Sequence, residues 1–454
     1  MTIDESPDQD RSGGVATVAP PIPLTPRVPA AAGAVWSQLH LLGFRFLCAY
    51  FLIYLIPFPL NQGLPFSDLI DRGFSSLWDV PVRWVGRVLL RLPEPVTLTV
   101  SGSGDKLYDY VWNLTVLLLA LLVVATWSAL DRRREHTQLR AWVRLYVRLG
   151  LGAVAISYGA YKVIKSQFPY PPLDKLAQPF GESSPMGLLW SFIGFSPAYN
   201  LFTGLGELMG GVLLFFRRTA LLGALLLVSV LANIVMFNFA YDVPVKLYST
   251  NLLLLAIWIA AFDARRLLNL LVLNRTAPPQ AEPQLGSTRS KRIVLQSAVL
   301  VILGLTLWKT LSNSYNAHTT YGDASPRPAL YGLYETDEFV HNGTVLPPLL
   351  GDTTRWRRAT FSRRGTLNIR LMNDSLRIFR VRVDTAARTA LLLLPADSMQ
   401  RMTLAYDVPD GSRLVMSGVF RGDSIRASFR RRDESDFLLF NRGFHWIQEF
   451  PFNR

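Results

Sequence analysis

Glu207 lies near the middle of the apolar run 199–216, with Gly204 three positions before it and Gly211 four after. A charged carboxylate exposed at bilayer mid-depth costs about 3 kcal/mol or more. It must therefore be protonated, paired or turned toward a polar cavity. Gly204, Gly210 and Gly211 strip that stretch of bulk, and small residues let helices approach closely. The carboxylate is expected in a helix–helix seam. The run 143–169 offers a partner, because Tyr158, Lys162 and Lys165 share one face at helical spacing. Lys162 falls roughly one turn inside the membrane boundary at about 1.5 Å rise per residue, so its stem either reaches Glu207 or snorkels outward. Lys165 is expected to snorkel to the headgroups.

A second group of polar residues sits in the stretch 232–250. Asn233 and Asn238 are amides in an apolar helix. Asp242 precedes Pro244, which suits the first turn of the following helix, and Lys246 is its local partner. Tyr158, Lys162, Glu207, Asn233, Asn238, Asp242 and Lys246 are expected to converge on one half of one bundle, as a ligand-binding pocket opening outward. Redox and metal chemistry have little support. Cys48 is the only cysteine, and the five histidines are scattered, so no disulfide, CxxC pair or metal cage is expected. Near the C-terminus, the stretch 437–454 is dense in aromatics with Arg442, His445 and Glu449 among them. It reads either as a ligand mouth or docking edge, or as a closing strand with its core aromatics.

These residues need elements to position them. Half of the 454 residues are hydrophobic and the mean hydropathy is +0.23, which is membrane-like. Seven apolar spans are expected, at 38–60, 107–130, 142–165, 198–216, 219–240, 246–262 and 293–311, near the ~20 residues that cross a bilayer. The net charge of +14 comes with no nucleic-acid recognition motif and gathers on loops, as cytoplasmic flanks do. Arg132–Arg134, Arg217, Arg218, Arg265, Arg266, Lys291 and Arg292 fall on one side, which sets the N-terminus inside and the C-terminus outside. The acidic, Pro- and Ala-containing stretch 1–35 reads as a disordered cytoplasmic tail. In 81–92, Arg83, Arg87 and Arg91 line one helical face opposite Trp84, Val85, Val88 and Leu92. That is a helix in the headgroup layer or a surface helix packed on the bundle. A Pro-containing linker at 276–290 precedes the last span at 291–311. From 330 to 454, short alternating runs broken by "HNG", "RRG", "PDG" and "RGD" predict about eight antiparallel strands in a small barrel or meander.

The stretch 142–270 resembles the DoxX superfamily of small bacterial four-helix membrane proteins. An Arg precedes a glycine-rich helix ending Gly-x-x-Lys, followed by Gly-x-x-Glu-x-x-Gly-Gly and an Arg-Thr turn. The matching positions are Arg148, Gly152, Gly159, Lys162, Glu207, Gly210, Gly211, Arg218, Thr219 and Gly223. The opening "LYGLYETDEFVHNG" resembles the first strand of lipocalin-like domains. The DoxX resemblance implies membrane redox chemistry linked to quinone, or membership of thiol-stress complexes. Two functions follow as expectations. One is a membrane protein that binds a small apolar ligand, a quinone or a lipid, in the outward pocket, with an extracytoplasmic lipocalin-like domain beside it. The other is the membrane subunit of a quinone-linked oxidoreductase acting on a thiol or sulfur compound. Both place the chain in a bacterial cytoplasmic membrane among lipid and membrane-protein partners.

Overall fold

The computed structural model describes residues 36–99, 101–277, 283–394 and 401–453. The expected tail at 1–35 and the middle of the linker, 278–282, lie outside the described residues. The N-terminal part is helical: α1 Gln38–Leu55, α2 Ser67–Trp84, α3 Leu107–Leu130, α4 Thr137–Val163, α5 Leu173–Leu176, α6 Pro185–Phe195, α7 Pro197–Phe215, α8 Ala220–Ala240, α9 Lys246–Ala261, α10 Ala264–Leu267 and α11 Arg289–Thr320.

Among the described residues, five helices (α1, α3, α7, α8 and α11) are long and apolar enough to cross a membrane. The α9–α10 pair, bent by 70°, makes a sixth if it is one span. The expected count was seven. The helix that falls short on composition is α4, although it has 27 residues. It carries Arg140, Arg144, Arg148 and Lys162, and the last three are buried inside the protein. The last expected span runs unbroken within the 32 residues of α11.

Successive long helices alternate in direction. Arg45 on α1 donates to the carbonyl of Asp131 just past α3 (2.8 Å), while Tyr50 meets Asn113 nearer the other end (3.0 Å). On α4 and α7, Gly152 lies against Gly211 and Gly159 against Gly204, so this pair is antiparallel too. α11 runs parallel to α4, with Ser314 Oγ on the Ala160 carbonyl (3.2 Å). The amphipathic stretch 81–92 is part of α2 and the turn of π-helix that continues it. Val82 and Val85 are buried against Val96, Tyr108 and Val111, while Trp84, Val88 and Leu89 are exposed. The helix therefore packs one edge on α3 and leaves another open.

The C-terminal part is a closed antiparallel barrel built from β1 Gly332–His341, β2 Thr344–Val345, β3 Trp356–Phe361, β4 Thr366–Leu371, β5 Leu376–Asp384, β6 Thr389–Leu393, β7 Arg401–Asp407, β8 Arg413–Phe420 and β9 Asp423–Arg432. β1 pairs with both β2 and β3, neighbours in sequence pair from β3 to β9, and β1 also pairs with β9. Closure removes the open edges that a sheet would leave unpaired. The two-residue β2 only extends a hairpin on β1, so eight strands form the wall. Tight turns set the register: Asn342–Gly343 and Arg421–Gly422 both have positive φ at each residue, the geometry of two-residue hairpins that match strand twist. Alternation fills the interior. Phe339, Trp356, Phe379 and Phe429 are at most 1% exposed.

The barrel sits on the end of the bundle where α4 finishes. Arg358 donates to the Ala177 carbonyl (2.9 Å), Arg370 meets Glu182 (3.3 Å), and Leu173 packs with Leu333 and Phe437. Below, this is called the barrel end. The aromatic stretch expected as a closing strand is not one. β9 already closes the wall, and 437–453 continues as the short α12 Leu438–Asn441 and then irregular backbone.

Candidate functional site

The site begins with missing side chains. A Cβ on Gly159 would stand 2.5 Å from the backbone nitrogen of Leu208, and one on Gly211 2.7 Å from the Gly152 carbonyl. A Cβ on Gly204 would stand 2.8 Å from the Cβ of Lys162. Real Cβ atoms do not tolerate such distances, so only glycine lets the α4 and α7 backbones touch. This approach delivers Lys162 to Glu207. Its Nζ donates to both carboxylate oxygens, at 2.6 and 2.8 Å. Lys162 is 7% exposed and Glu207 2%. In such surroundings two charges persist only by neutralising each other with good geometry. The pair therefore acts as a compact dipole in the seam, and snorkelling of Lys162 is excluded. Snorkelling of Lys165 is excluded as well. It is buried, its Nζ lies 2.5 Å from Asp323 Oδ2, and the ring of Tyr170 is 3.4 Å away.

Tyr158 links the pair to open space. Its ring centroid is 5.7 Å from Lys162 Nζ, and the same residue lines a cavity of about 180 Å³ between α4, α9 and α11. Tyr161, Tyr248, Lys309, Asn313 and Gln62 line it too. Lys309 donates to the Asn61 carbonyl (2.7 Å), and Thr306 to Gln62 Oε1 (3.4 Å). The lining is thus rich in donors: phenol hydroxyls, an ammonium and amides, set beside Ala153 and Val154. Sequence reasoning found Tyr158 but missed the others. Lys309 carried the same signal as Lys162, a cation inside an apolar run. Tyr248 and Gln62 carried none.

The wider convergence does not form, and four of the seven expected residues are corrected. Asn233 is exposed on α8 while Asn238 is buried. Five residues on a helix turn by about 140° net, so the two amides cannot share a face. Asn238 donates to Ser249 Oγ (2.9 Å) and ties α8 to α9. Asp242 is exposed and pairs with Lys246 at 2.7 Å, a surface contact. Asp242 does not cap α9 either. That position is taken by Asp105, which accepts from the backbone nitrogens of Lys246 and Leu247 (2.8 and 3.0 Å).

Over 139 residues the chain is 33% identical to the "Uncharacterized protein YwoB" of Bacillus subtilis (strain 168), a stretch that is 30% of this chain and 87% of that protein. The chain belongs to the YwoB family. No family model matches it, and no solved structure does. The YwoB-like stretch is too short to hold both the helices and the barrel, so the two-part architecture goes beyond what the relative shares.

The other end of the bundle holds cations of a different kind. Arg148 is buried and donates through Nε and Nη2 to the Leu214 carbonyl (3.0 and 2.8 Å). It thereby satisfies the last turn of α7, where carbonyls concentrate partial negative charge. Arg144 meets Asp263 at 2.9 Å. Both residues lock helices, and neither lines the cavity.

Proposed function

We propose that this YwoB-family protein is an integral protein of a bacterial cytoplasmic membrane, crossing it seven times with α4 among the spans. In this reading it binds a small, mainly apolar molecule with an acceptor-bearing head, a quinone or a lipid, in the cavity between α4, α9 and α11. The observation that carries the reading is the cavity itself. Its ~180 Å³ compares with the roughly 150 Å³ that accommodates a benzene ring, and its donors suit carbonyl or ester oxygens. Apolar pockets with a few placed polar groups are the usual form of small-molecule sites. The Lys162–Glu207 pair lies behind Tyr158 and holds the wall in place without touching the ligand. In this reading the DoxX-like unit supplies α4, α7 and α9, while α11 supplies Lys309 and Asn313.

The test is mass spectrometry of lipids and quinones extracted from the purified full chain. One class of molecule should be enriched over the bulk membrane, and Ser157→Phe, which fills the cavity, should abolish that enrichment. Equal lipid profiles for the two proteins would overturn the reading. A retained quinone that a thiol or sulfur donor reduces would move the protein to the oxidoreductase class.

A further inference from the structure

The segment after α12 leaves four large side chains in the open: Phe444 at 78% exposure, Trp446 at 91%, Ile447 at 80% and Phe450 at 84%. Phe444 and Trp446 touch each other edge to face at 5.1 Å, so the side chains are grouped. Their position is set by what precedes them. Phe437 is buried with Leu173 of the bundle and Leu333 of the barrel. Phe440 on α12 meets Tyr170 and Phe195 at 5.7 Å each. The segment therefore departs from the barrel end of the bundle, at the tip of α6. α6 and α7 also expose Phe192 (58%) and Phe202 (74%), rings that meet lipid if the bundle is embedded.

We propose that the segment Phe444–Phe452 is an interfacial anchor that lies in the headgroup layer of the leaflet on the barrel side. Three features select a lipid surface over a protein partner. The apolar side chains follow directly on α12, whose Phe440 packs against Phe195 at the end of α6. Tryptophan and phenylalanine beside a cation, here Arg442 stacked 4.7 Å over Phe452, match the composition of membrane interfaces, where aromatic rings sit among headgroups and guanidinium meets phosphate. The backbone from 442 to 453 forms no helix or strand. Irregular backbone is not tolerated in the hydrocarbon but is solvated among headgroups, so the anchor is shallow. Its consequence is mechanical. It pins the C-terminal edge of the barrel to the bilayer beside α6, as a second attachment besides α11.

This inference rests on the bundle being membrane-embedded, and the experiment separates the two claims. In a Cys48→Ala background, single cysteines are placed by Ile447→Cys, by Leu122→Cys on exposed α3, and by Ala387→Cys at the exposed β5–β6 turn. Each full-length protein is labelled with an environment-sensitive fluorophore and reconstituted in vesicles carrying spin labels at the headgroup, at a shallow acyl position or at a deep one. The expected result is strong quenching of the Ile447→Cys probe by headgroup and shallow labels, several-fold above Ala387→Cys, with Leu122→Cys quenched by the deep label. If Leu122→Cys is quenched but Ile447→Cys behaves like Ala387→Cys, the anchor is overturned. If, in addition, the Ile447→Cys probe is shielded from aqueous iodide, the segment contacts protein instead. If Leu122→Cys is not quenched, the embedded bundle fails and the anchor fails with it.

Discussion

At the scale of residues, the centre of the molecule is a pair of side chains that the backbone was cleared to admit. Gly159 and Gly204 remove the bulk between α4 and α7, and Lys162 then reaches both oxygens of Glu207. Removing one partner strands a charge in a dry seam, at a cost of roughly 3–5 kcal/mol. Lys162→Met is expected to destabilise by that order. Glu207→Gln keeps the shape and should be tolerated better than Glu207→Leu. Lys162→Met with Glu207→Gln should recover part of the loss, measured as a double-mutant cycle on thermal or detergent-induced unfolding. Simple additivity would mean that the two residues are not coupled. Gly159→Ala should destabilise independently of charge, because its Cβ meets backbone at 2.5 Å. Gly304→Ala on α11 meets nothing within 4 Å and should be neutral or stabilising by up to about 1 kcal/mol.

At the scale of elements, the far end of the bundle is held by a short knot between α1 and the α3–α4 loop. Arg45 donates to the carbonyls of Asp131 and Arg133 (2.8 and 3.2 Å), and its Nη2 stands 3.4 Å from His136 Nε2, an acceptor when the ring is neutral. Trp36, Phe44 and Trp127 surround the imidazole. Burial holds His136 below the ordinary histidine value of 6.5, with the neighbouring Arg45 and Arg133 charges acting in the same direction and Asp131 opposing. A lowered value means that the folded state binds fewer protons than the unfolded one. Its contribution is complete above about pH 6.5 and lost as pH falls through the lower folded value. Amide protection at 131–137, measured as exchange relative to the intrinsic rate at each pH, is therefore expected to weaken as the pH falls below about 6.5, and His136→Asn should flatten that dependence. An unchanged acid profile in the variant would assign the effect to other groups.

At the scale of the whole molecule, a helical bundle and a barrel meet through the α4–α6 connection. Arg358 and Arg370 on the barrel wall grip Ala177 and Glu182, and Lys165 grips Asp323 just past α11. In the proposed orientation, which the basic loops motivate, the barrel lies outside. A reporter active only in the periplasm, fused after Arg454, is expected to be active. Activity from a cytoplasmic reporter alone would refute the proposed seven crossings and, with them, the proposal that the cavity opens outward.

Local pattern carried the coarse architecture. Apolar runs define helices by length, and period-two alternation with Asn-Gly and Arg-Gly-Asp turns defines strands, because both depend on the nearest few residues. It also pointed to Lys162 and Glu207, since a charge in an apolar run must find a partner and glycines mark where backbones meet. What the local pattern could not carry was the phase and neighbourhood of each helix. Asn233 and Asn238 read as one polar group, yet they point apart. Asp242 read as the cap of α9, yet Asp105 does that from 141 residues away. The cavity takes Lys309 from α11, 151 residues beyond Tyr158 in the sequence, and packing alone decides that these side chains share a space. The sequence counted 142–165 among the spans despite its arginines, and only their burial against Asp263 and the Leu214 carbonyl shows how so polar a helix can stand within the bundle.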